Sequence, residues 1–239
     1  MSDTPRQRAR ARTMDDIVRI GRAHLATEGA AALSLRAVAR DLGVVSSAVY
    51  RYVANRDELL TLLVVDAYTE LADAVDAAVA AAASEGDLGA LAEFGVLARA
   101  VRAWALAEPA RYALLYGSPV PGYHAPAERT AEPGTRVLQR LVAILGTAQP
   151  RGGDGEDPGH AASGVLADDL ASIGRAAGVP LSPAAAATGV LAWNAVLGAI
   201  SAEVFGWYGD TFDASAAALF EQQLALIADL LRRVGVAES

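Results

Sequence analysis

The fold is decided by a short stretch of the chain, residues 34–53, which reads SLRAVARDLGVVSSAVYRYV. Its first residue, Ser34, is of a type preferred at the N-cap of a helix. Three apolar residues follow at helical spacing: Leu35, Val38 and Leu42. Gly43 stands where the chain must turn sharply, because a left-handed backbone costs glycine little. We expect a second short helix after it, capped by Ser46 or Ser47, so the stretch predicts a helix-turn-helix.

The second helix of this stretch and its surroundings carry side chains suited to nucleic acid. Hydroxyls, phenols and guanidinium groups can contact base edges and phosphates at the mouth of a major groove. The candidate DNA-contacting residues are Ser34, Arg36, Ser46, Ser47, Tyr50, Arg51, Tyr52 and Arg56. An ordinary helical hairpin is the alternative, and Gly43 alone would favour it. Tyr50, a following helix capped by Asn55 and the basic charge of the segment favour DNA instead.

Charge is divided unevenly along the chain. The net charge is −8, but residues 1–60 carry ten Arg against seven acidic residues, whereas residues 61–239 carry ten Arg against twenty-one. The first part is therefore +3 and the second −11. A basic N-terminal part joined to an acidic body is expected if only the N-terminal part meets phosphate.

The composition also excludes several classes of chemistry. The chain has no cysteine, and its 20 basic residues are all arginine. Thiolate metal sites, cysteine nucleophiles, Schiff-base lysines and the P-loop lysine are thereby excluded. No catalytic motif is present, and His24, His124 and His160 are scattered, so we expect neither an enzyme nor a metal or other cofactor.

Towards the N-terminus, residues 1–12 predict a flexible basic arm that contains Arg6, Arg8, Arg10 and Arg12. Helix 1 is predicted to begin near Thr13, whose hydroxyl can cap it. Residues 13–54 would then form the helix-turn-helix domain. The arm either contacts the DNA backbone or minor groove, as arms of several repressors and homeodomains do, or only solubilises the chain; both alternatives stay open.

Towards the C-terminus, residues 55–239 predict a helical domain for effector binding and dimerisation. Strand signals are almost absent, so we expect an all-α protein. Residues 117–133 are predicted as a loop and residues 149–160 as a mobile surface segment. Helices are predicted over about 55–83, 87–107, 110–116, 134–148, 163–177, 183–208 and 213–234.

The motifs quoted so far resemble those of the tetracycline-repressor (TetR/AcrR) family. The resemblance covers about residues 13–62 and rests on the stretch from Ser34 to Val44, on Val49-Tyr50-Arg51-Tyr52 and on Asn55-Arg56-Asp57-Glu58-Leu59-Leu60. It implies an all-α dimer, DNA binding by the three N-terminal helices and a ligand pocket among the C-terminal helices. The family often has Ser where this chain has Val45, so we expect Ser46 to act as the cap.

The second half is similar to one C-terminal subfamily of these regulators, the WHG type. The similarity rests on residues 104–112, on Gly117-Ser118-Pro119 and on Trp193 with Gly198, Glu203 and Gly206. It supports the architecture but implies no particular effector.

A set of aromatic residues in the second half is a candidate ligand pocket. Its members, with Asn194 as a polar anchor in an apolar helix, are Phe94, Trp104, Tyr112, Tyr116, Trp193 and Asn194. Each aromatic residue taken singly is better interpreted as plain core. As a group they predict a cavity for a small-molecule effector.

The stretch 184–202 contains no charged residue. A membrane span is one interpretation, but the stretch is rich in alanine and lacks basic flanks. We expect instead that this helix and the last one form a four-helix interface between two copies of the chain.

Together these features predict a cytoplasmic, homodimeric, ligand-responsive regulator, a repressor that binds a palindromic double-stranded DNA operator and is released by an effector. Two alternatives remain: a helical small-molecule-binding protein or enzyme with a degenerate DNA-binding head, and a membrane-anchored protein.

Overall fold

The computed structural model describes residues 4–148, 162–212 and 214–237. Over these residues the chain is helical and contains no strand, which confirms the all-α class. The α-helices are α1 (Pro5–Glu28), α2 (Leu35–Asp41), α3 (Ser46–Val49), α4 (Arg56–Glu85), α5 (Ala90–Ala107), α6 (Pro109–Tyr116), α7 (Ala127–Gly146), α8 (Val165–Ala177), α9 (Pro183–Val204) and α10 (Ala216–Arg233). Short 3₁₀ turns span Ala30–Ala32 and Gly209–Thr211. The segment predicted to be mobile, residues 149–160, lies outside the described residues.

The chain divides into two compact units. The first comprises Met1–Leu71 and Ala107–Gly134, and the second comprises Ala72–Leu106 and Thr135–Ser239. The helix-turn-helix belongs to the first unit, together with the N-terminal part of α4 and all of α6.

The first unit is built around an apolar core to which α1, α2, α3 and α4 each contribute. Its fully buried members include Ile17, Val38, Val49, Val53, Leu59, Leu60 and Leu63. Gly21 lets α1 lie close to α4, since a Cβ added there would come within 3.2 Å of the Leu63 side chain. Burial of each large aliphatic side chain stabilises the fold by about 1.5–3 kcal/mol, so this core fixes the short helices α2 and α3.

Helix α1 begins at Pro5, two turns before the start predicted near Thr13, and that prediction is wrong. Thr4 is the N-cap: the Gln7 backbone N–H donates to the Thr4 hydroxyl at 3.3 Å, and the Thr4 N–H donates to the Gln7 side chain at 2.8 Å. Pro5 at the first helical position is pre-shaped for a helix start. The sequence did not indicate this helix start, because residues 5–12 are exposed and show no apolar periodicity.

Helix α7 also begins earlier than predicted. It runs from Ala127 through Pro133, so the loop predicted over 117–133 is shorter and the start predicted at Gly134 is wrong. A proline inside a helix removes one hydrogen bond and usually ends the helix. Here packing outweighs that loss, since Pro133 is buried and a Cβ at Gly134 would lie 3.3 Å from the Tyr68 ring.

The second unit contains the two C-terminal helices, which pack against each other. The hydroxyl of Ser182 accepts a hydrogen bond from the Ala185 N–H at 3.1 Å, which confirms the start predicted for α9. The helix ends at Val204 rather than near Tyr208, because Gly206 turns the chain with φ +67°. By length and composition alone α9 could cross a membrane, and 39% of its most apolar 18-residue window is buried within the chain.

Candidate nucleic-acid interface

The turn between α2 and α3 is set by glycine. Gly43 adopts φ +72°, the left-handed conformation expected from the sequence. Its N–H donates to the Arg40 carbonyl at 3.1 Å, and the next N–H, of Val44, donates to the Ala39 carbonyl at 3.0 Å, which satisfies the end of α2. A Cβ at Gly43 would meet no atom within 4 Å. Glycine is therefore required at position 43 for its left-handed backbone conformation, and not because a side chain there would clash with a neighbour.

The cap of α3 differs from the prediction. Val45 occupies the N-cap position, and its carbonyl accepts the first helical hydrogen bond, from the Ala48 N–H at 2.9 Å. The expectation that Ser46 or Ser47 caps the helix is wrong, since both serines lie inside α3, where neither hydroxyl has a capping role. The extended backbone of Val45 (φ −67°, ψ 142°) is one that valine adopts easily. Ser34 does stand at the N-cap of α2, although its side chain makes no cap hydrogen bond.

The predicted DNA-contacting residues fall into two classes by exposure. Arg36, Ser47, Tyr50 and Arg51 are exposed, whereas Ser34, Ser46, Tyr52 and Arg56 are partly buried. Val45 is 72% exposed, although it is aliphatic and begins the second helix. From the sequence, Val45 was considered only in relation to the helix cap. The position of Val45 in a turn, before two serines, is the feature of the sequence that indicates its exposure.

Arg56 is held by the backbone of a neighbouring segment. One of its terminal nitrogens donates to the carbonyls of Ala30 at 2.9 Å and Ala31 at 3.2 Å. The other lies 3.8 Å from an Asp57 carboxylate oxygen. Arg56 therefore ties the start of α4 to the turn after α1, a role that the sequence did not reveal, and its phosphate contact stays a prediction.

The start of α4 is capped as predicted. The Asn55 side-chain oxygen accepts a hydrogen bond from the Glu58 N–H at 2.8 Å. The Glu58 carboxylate in turn accepts one from the Ala54 N–H at 2.6 Å. These bonds satisfy N–H groups that would otherwise lack partners at the helix start.

A histidine–carboxylate pair joins α1 to the end of α2. His24 is buried, and its Nε2 lies 2.6 Å from an Asp41 carboxylate oxygen. The other Asp41 oxygen accepts a hydrogen bond from Arg40 at 3.2 Å. These hydrogen bonds, first that of His24 and then that of Arg40, lower the pKa of Asp41 below its usual value. The pair fixes the helix that precedes the turn against α1.

An ionic cluster joins α1, α4 and α6 within the first unit. Arg111 is 2% exposed; it donates to Glu70 at 2.6 Å and to Asp66 at 3.1 Å. Arg22 donates to Asp66 at 2.7 Å and lies 3.0 Å from Glu70. Arg111 is therefore a salt-bridge partner of Asp66 and Glu70. Its two carboxylates belong to α4, so the cluster binds α4 to both neighbouring helices.

The predicted effector-binding residues are divided between the two units. Phe94, Trp104, Trp193 and Asn194 belong to the second unit, and Tyr112 and Tyr116 to the first. The two tyrosine rings lie 5.2 Å apart, and burial raises the pKa of Tyr116. Asn194 is exposed, which contradicts the expectation of a buried anchor. Helix α9 directs Asn194 outward. A cavity formed by all six residues stays a prediction.

The second unit carries two open grooves. One, of about 470 Å³, lies between α7 and α8 and is lined mainly by aliphatic side chains. The other, of about 450 Å³, lies between α5 and α10 and includes Phe94. Arg99 and Glu221 also line this second groove, where they form an ion pair at 2.6 Å.

Comparison with known proteins gives a consistent result. Residues 94–227 match the family model described as "Tetracyclin repressor-like, C-terminal domain". HTH-type transcriptional regulators of Mycobacterium bovis and Mycobacterium tuberculosis are each 46% identical to this chain over 230 residues. The match covers 95% of this chain and 95% of each relative.

Solved structures agree with this match. A crystal structure of a regulatory protein is 34% identical, with a TM-score of 0.73, and the match covers 94% of this chain and 98% of the other. A tetR family transcription regulator from Shewanella sp. PV-4 shares the fold at 19% identity and a TM-score of 0.52, over 86% of this chain and 94% of that one.

Proposed function

The chain belongs to the tetracycline-repressor family of helix-turn-helix transcriptional regulators, and from this premise we propose that it is a homodimeric repressor released from DNA by a small-molecule effector. The observation that carries the DNA-binding part is the exposed face of α3. Ser47, Tyr50 and Arg51 stand on or just after a short helix whose opposite side, Val49, is buried. A helix anchored on one side and polar on the other fits a major groove.

We assign the exposed residues different tasks on DNA. Ser47 and Tyr50 suit base edges and phosphates, and Arg51 and Arg36 suit phosphates or a guanine edge. Val45, at the start of α3, suits apolar contact with a thymine methyl group. Ser34, Ser46, Tyr52 and Arg56 remain candidates for secondary contacts, since each is partly buried.

The homodimer is proposed to form through α9 and α10. These helices carry exposed aliphatic side chains, among them Val190 (46% exposed), Leu191 (56%), Leu226 (57%) and Leu230 (37%). Aliphatic side chains left in water on two adjacent helices favour a partner that covers them. A two-fold dimer would place two α3 helices in successive major grooves about 34–36 Å apart and would require a palindromic operator.

Release by an effector is proposed to depend on the aromatic residues of the C-terminal part of the chain. Phe94 in the α5–α10 groove and the other predicted aromatic residues are the candidate ligand contacts. An effector that binds one conformation of the dimer more tightly shifts the population towards it. Helix α4 contributes residues to both units, so a displacement of α4 would change the spacing of the two α3 helices. We place the protein in the cytoplasm, where such an operator is accessible.

The proposal is tested by selecting binding sites from a pool of random duplexes and measuring affinity by fluorescence anisotropy. We expect a palindromic consensus, bound at least 10³-fold more tightly than a scrambled duplex of equal length. Enrichment of no sequence, with equal affinity for both duplexes at all salt concentrations, would refute the operator-binding function.

A further inference from the structure

The first two turns of α1 carry a cluster of arginine side chains. Arg6, Arg8, Arg10 and Arg12 are all exposed, and the helix that bears them is closed by the capping box of Thr4 and Gln7. None of the four forms an ion pair with a carboxylate of the described residues. Arginines of the second unit are different, since Arg102 and Arg140 are each paired with acidic side chains. The α1 extension therefore presents positive charge that no carboxylate of the described residues neutralises.

The four arginines point to two opposite sides of the helix. Arg10 precedes Met14 by four residues and Arg6 precedes Arg10 by four, so both continue the stripe by which α1 packs on the core of the first unit. Arg8 and Arg12 are each offset by two residues from this stripe, so they lie on the opposite side of α1. There the Arg12 Nε donates to the Arg8 carbonyl at 3.4 Å. The pairs carry equal charge, but only the first faces the side of the helix-turn-helix.

An aromatic ring holds Arg10 beside the residues that follow α3. Its guanidinium carbon lies 5.2 Å from the centre of the Tyr52 ring, within the range of a cation–π interaction. Tyr52 lies three residues after the end of α3 and is partly buried. The interaction holds the Arg10 side chain next to the segment that follows α3.

We propose that Arg6 and Arg10 form a second, sequence-independent DNA contact, to phosphates beside the groove that α3 enters, with Tyr52 as the residue that positions Arg10. This proposal rests on the proposed function, because it takes α3 as the reading helix. It also selects between the two alternatives for the basic arm: a solubilising tail requires neither a capped helix nor an arginine placed on an aromatic ring next to α3.

The test compares two double variants that remove the same charge from the same helix. Arg6→Ala/Arg10→Ala and Arg8→Ala/Arg12→Ala are measured by fluorescence anisotropy on the selected duplex and on its scrambled counterpart, between 50 and 300 mM salt. Each phosphate contact contributes about 0.9 to the slope of log K against log salt, so loss of both arginines in both protomers should lower the slope by about 3 to 4. The second variant should change it by less than about 1.

Equal changes in the two variants, or no change in either, would overturn the proposal. The proposed function would survive that result, because its criterion is the preference of the wild-type protein for the selected duplex over the scrambled one. Circular dichroism should match the wild type for both variants, since the four side chains are exposed. Loss of the Arg10–Tyr52 contact should lower the thermal midpoint of the first variant by at most about 4 °C.

The role of Tyr52 has its own readout. Tyr52→Leu should lower the salt slope by nearly as much as Arg10→Ala alone, whereas Tyr52→Phe, which keeps the ring, should retain it. Equal salt slopes for the Leu and Phe variants would overturn the positioning role.

Discussion

The two units expose different chemistry. In the first unit, α3 presents hydroxyl, phenol and guanidinium groups, and the cations of α1 lie beside it. In the second unit, α9 and α10 present aliphatic side chains, and Arg99, Arg102 and Arg140 are neutralised by carboxylates. A polyanion suits the first surface and an apolar protein surface suits the second. Under the proposed function, one chain would use separate surfaces for DNA contact and for self-association, and variants on each surface test that separation.

The largest effect is expected from the buried ionic cluster of the first unit. Arg111→Ala would remove the buried guanidinium that donates to both Asp66 and Glu70. Breaking such a pair costs about 3 kcal/mol, the lower end of the range for buried pairs, because the carboxylates are partly exposed. The matched change in the second unit is Arg99→Ala, whose pair with Glu221 is about half exposed and should contribute no more than about 1 kcal/mol. Urea denaturation measures both. Similar losses in the two variants would show that the Arg111 cluster is not what holds α4 to its neighbours.

The next largest effect concerns the aliphatic surface of the second unit. Leu226→Glu should weaken the dimer by about 1–1.5 kcal/mol per copy, because the exposed 57% of the leucine, which association would bury, is replaced by a charge. Val165→Glu on α8 is the control, since Val165 is 76% exposed and lies outside the proposed interface. Sedimentation velocity over a concentration series measures the dissociation constant. A dimer unaffected by Leu226→Glu would place the interface elsewhere.

A smaller effect is expected at the turn between α2 and α3. Gly43→Ala forces a side chain into a left-handed backbone and should destabilise the first unit by about 1–2 kcal/mol. Gly86→Ala is the control, because a Cβ there meets nothing within 4 Å and the residue does not have a positive φ. Thermal unfolding compares the two variants, and a Gly43→Ala protein as stable as wild type would contradict the glycine requirement.

The smallest effect is a pH dependence within the first unit. The pKa of Asp41 is lowered in the folded state, so its contribution to stability is present above the ordinary carboxyl pKa and is lost as pH falls through the folded value. Asp41→Asn should therefore flatten the decline of the free energy of unfolding in the acid range. Asp87→Asn, a change at an exposed residue, should leave that decline unchanged, and identical acid profiles for all three proteins would contradict the His24–Asp41 link.

The sequence predicted local features of the first unit, for a physical reason. The turn at Gly43 and the cap at Asn55 depend on residues only a few positions apart. Helix caps and left-handed turns depend on a few neighbouring residues, so short sequence patterns are sufficient to predict them. The start of α1 was missed because exposed polar residues leave no periodic signal, and the cap at Val45 was missed because its backbone, not its side chain, begins the helix.

The second unit shows where local patterns are not sufficient. The sequence predicted α9 and α10 to within a few residues, but it did not determine which way Asn194 faces. The same holds within the first unit, where the continuation of α7 through Pro133 depends on burial of that proline and on the close approach of Gly134 to Tyr68, residues far apart in sequence. The six candidate effector contacts have the same difficulty, because their meeting is a matter of tertiary packing.

The central claim, that the exposed face of α3 reads DNA, is tested most directly by the affinity of Tyr50→Ala/Arg51→Ala for the selected duplex. Arg175→Ala, a change at an exposed arginine on α8, is the control. We predict that the double variant remains folded and dimeric but binds the selected duplex no better than a scrambled one, while the control retains the wild-type preference. A double variant that still prefers the selected duplex as strongly as wild type would contradict the claim.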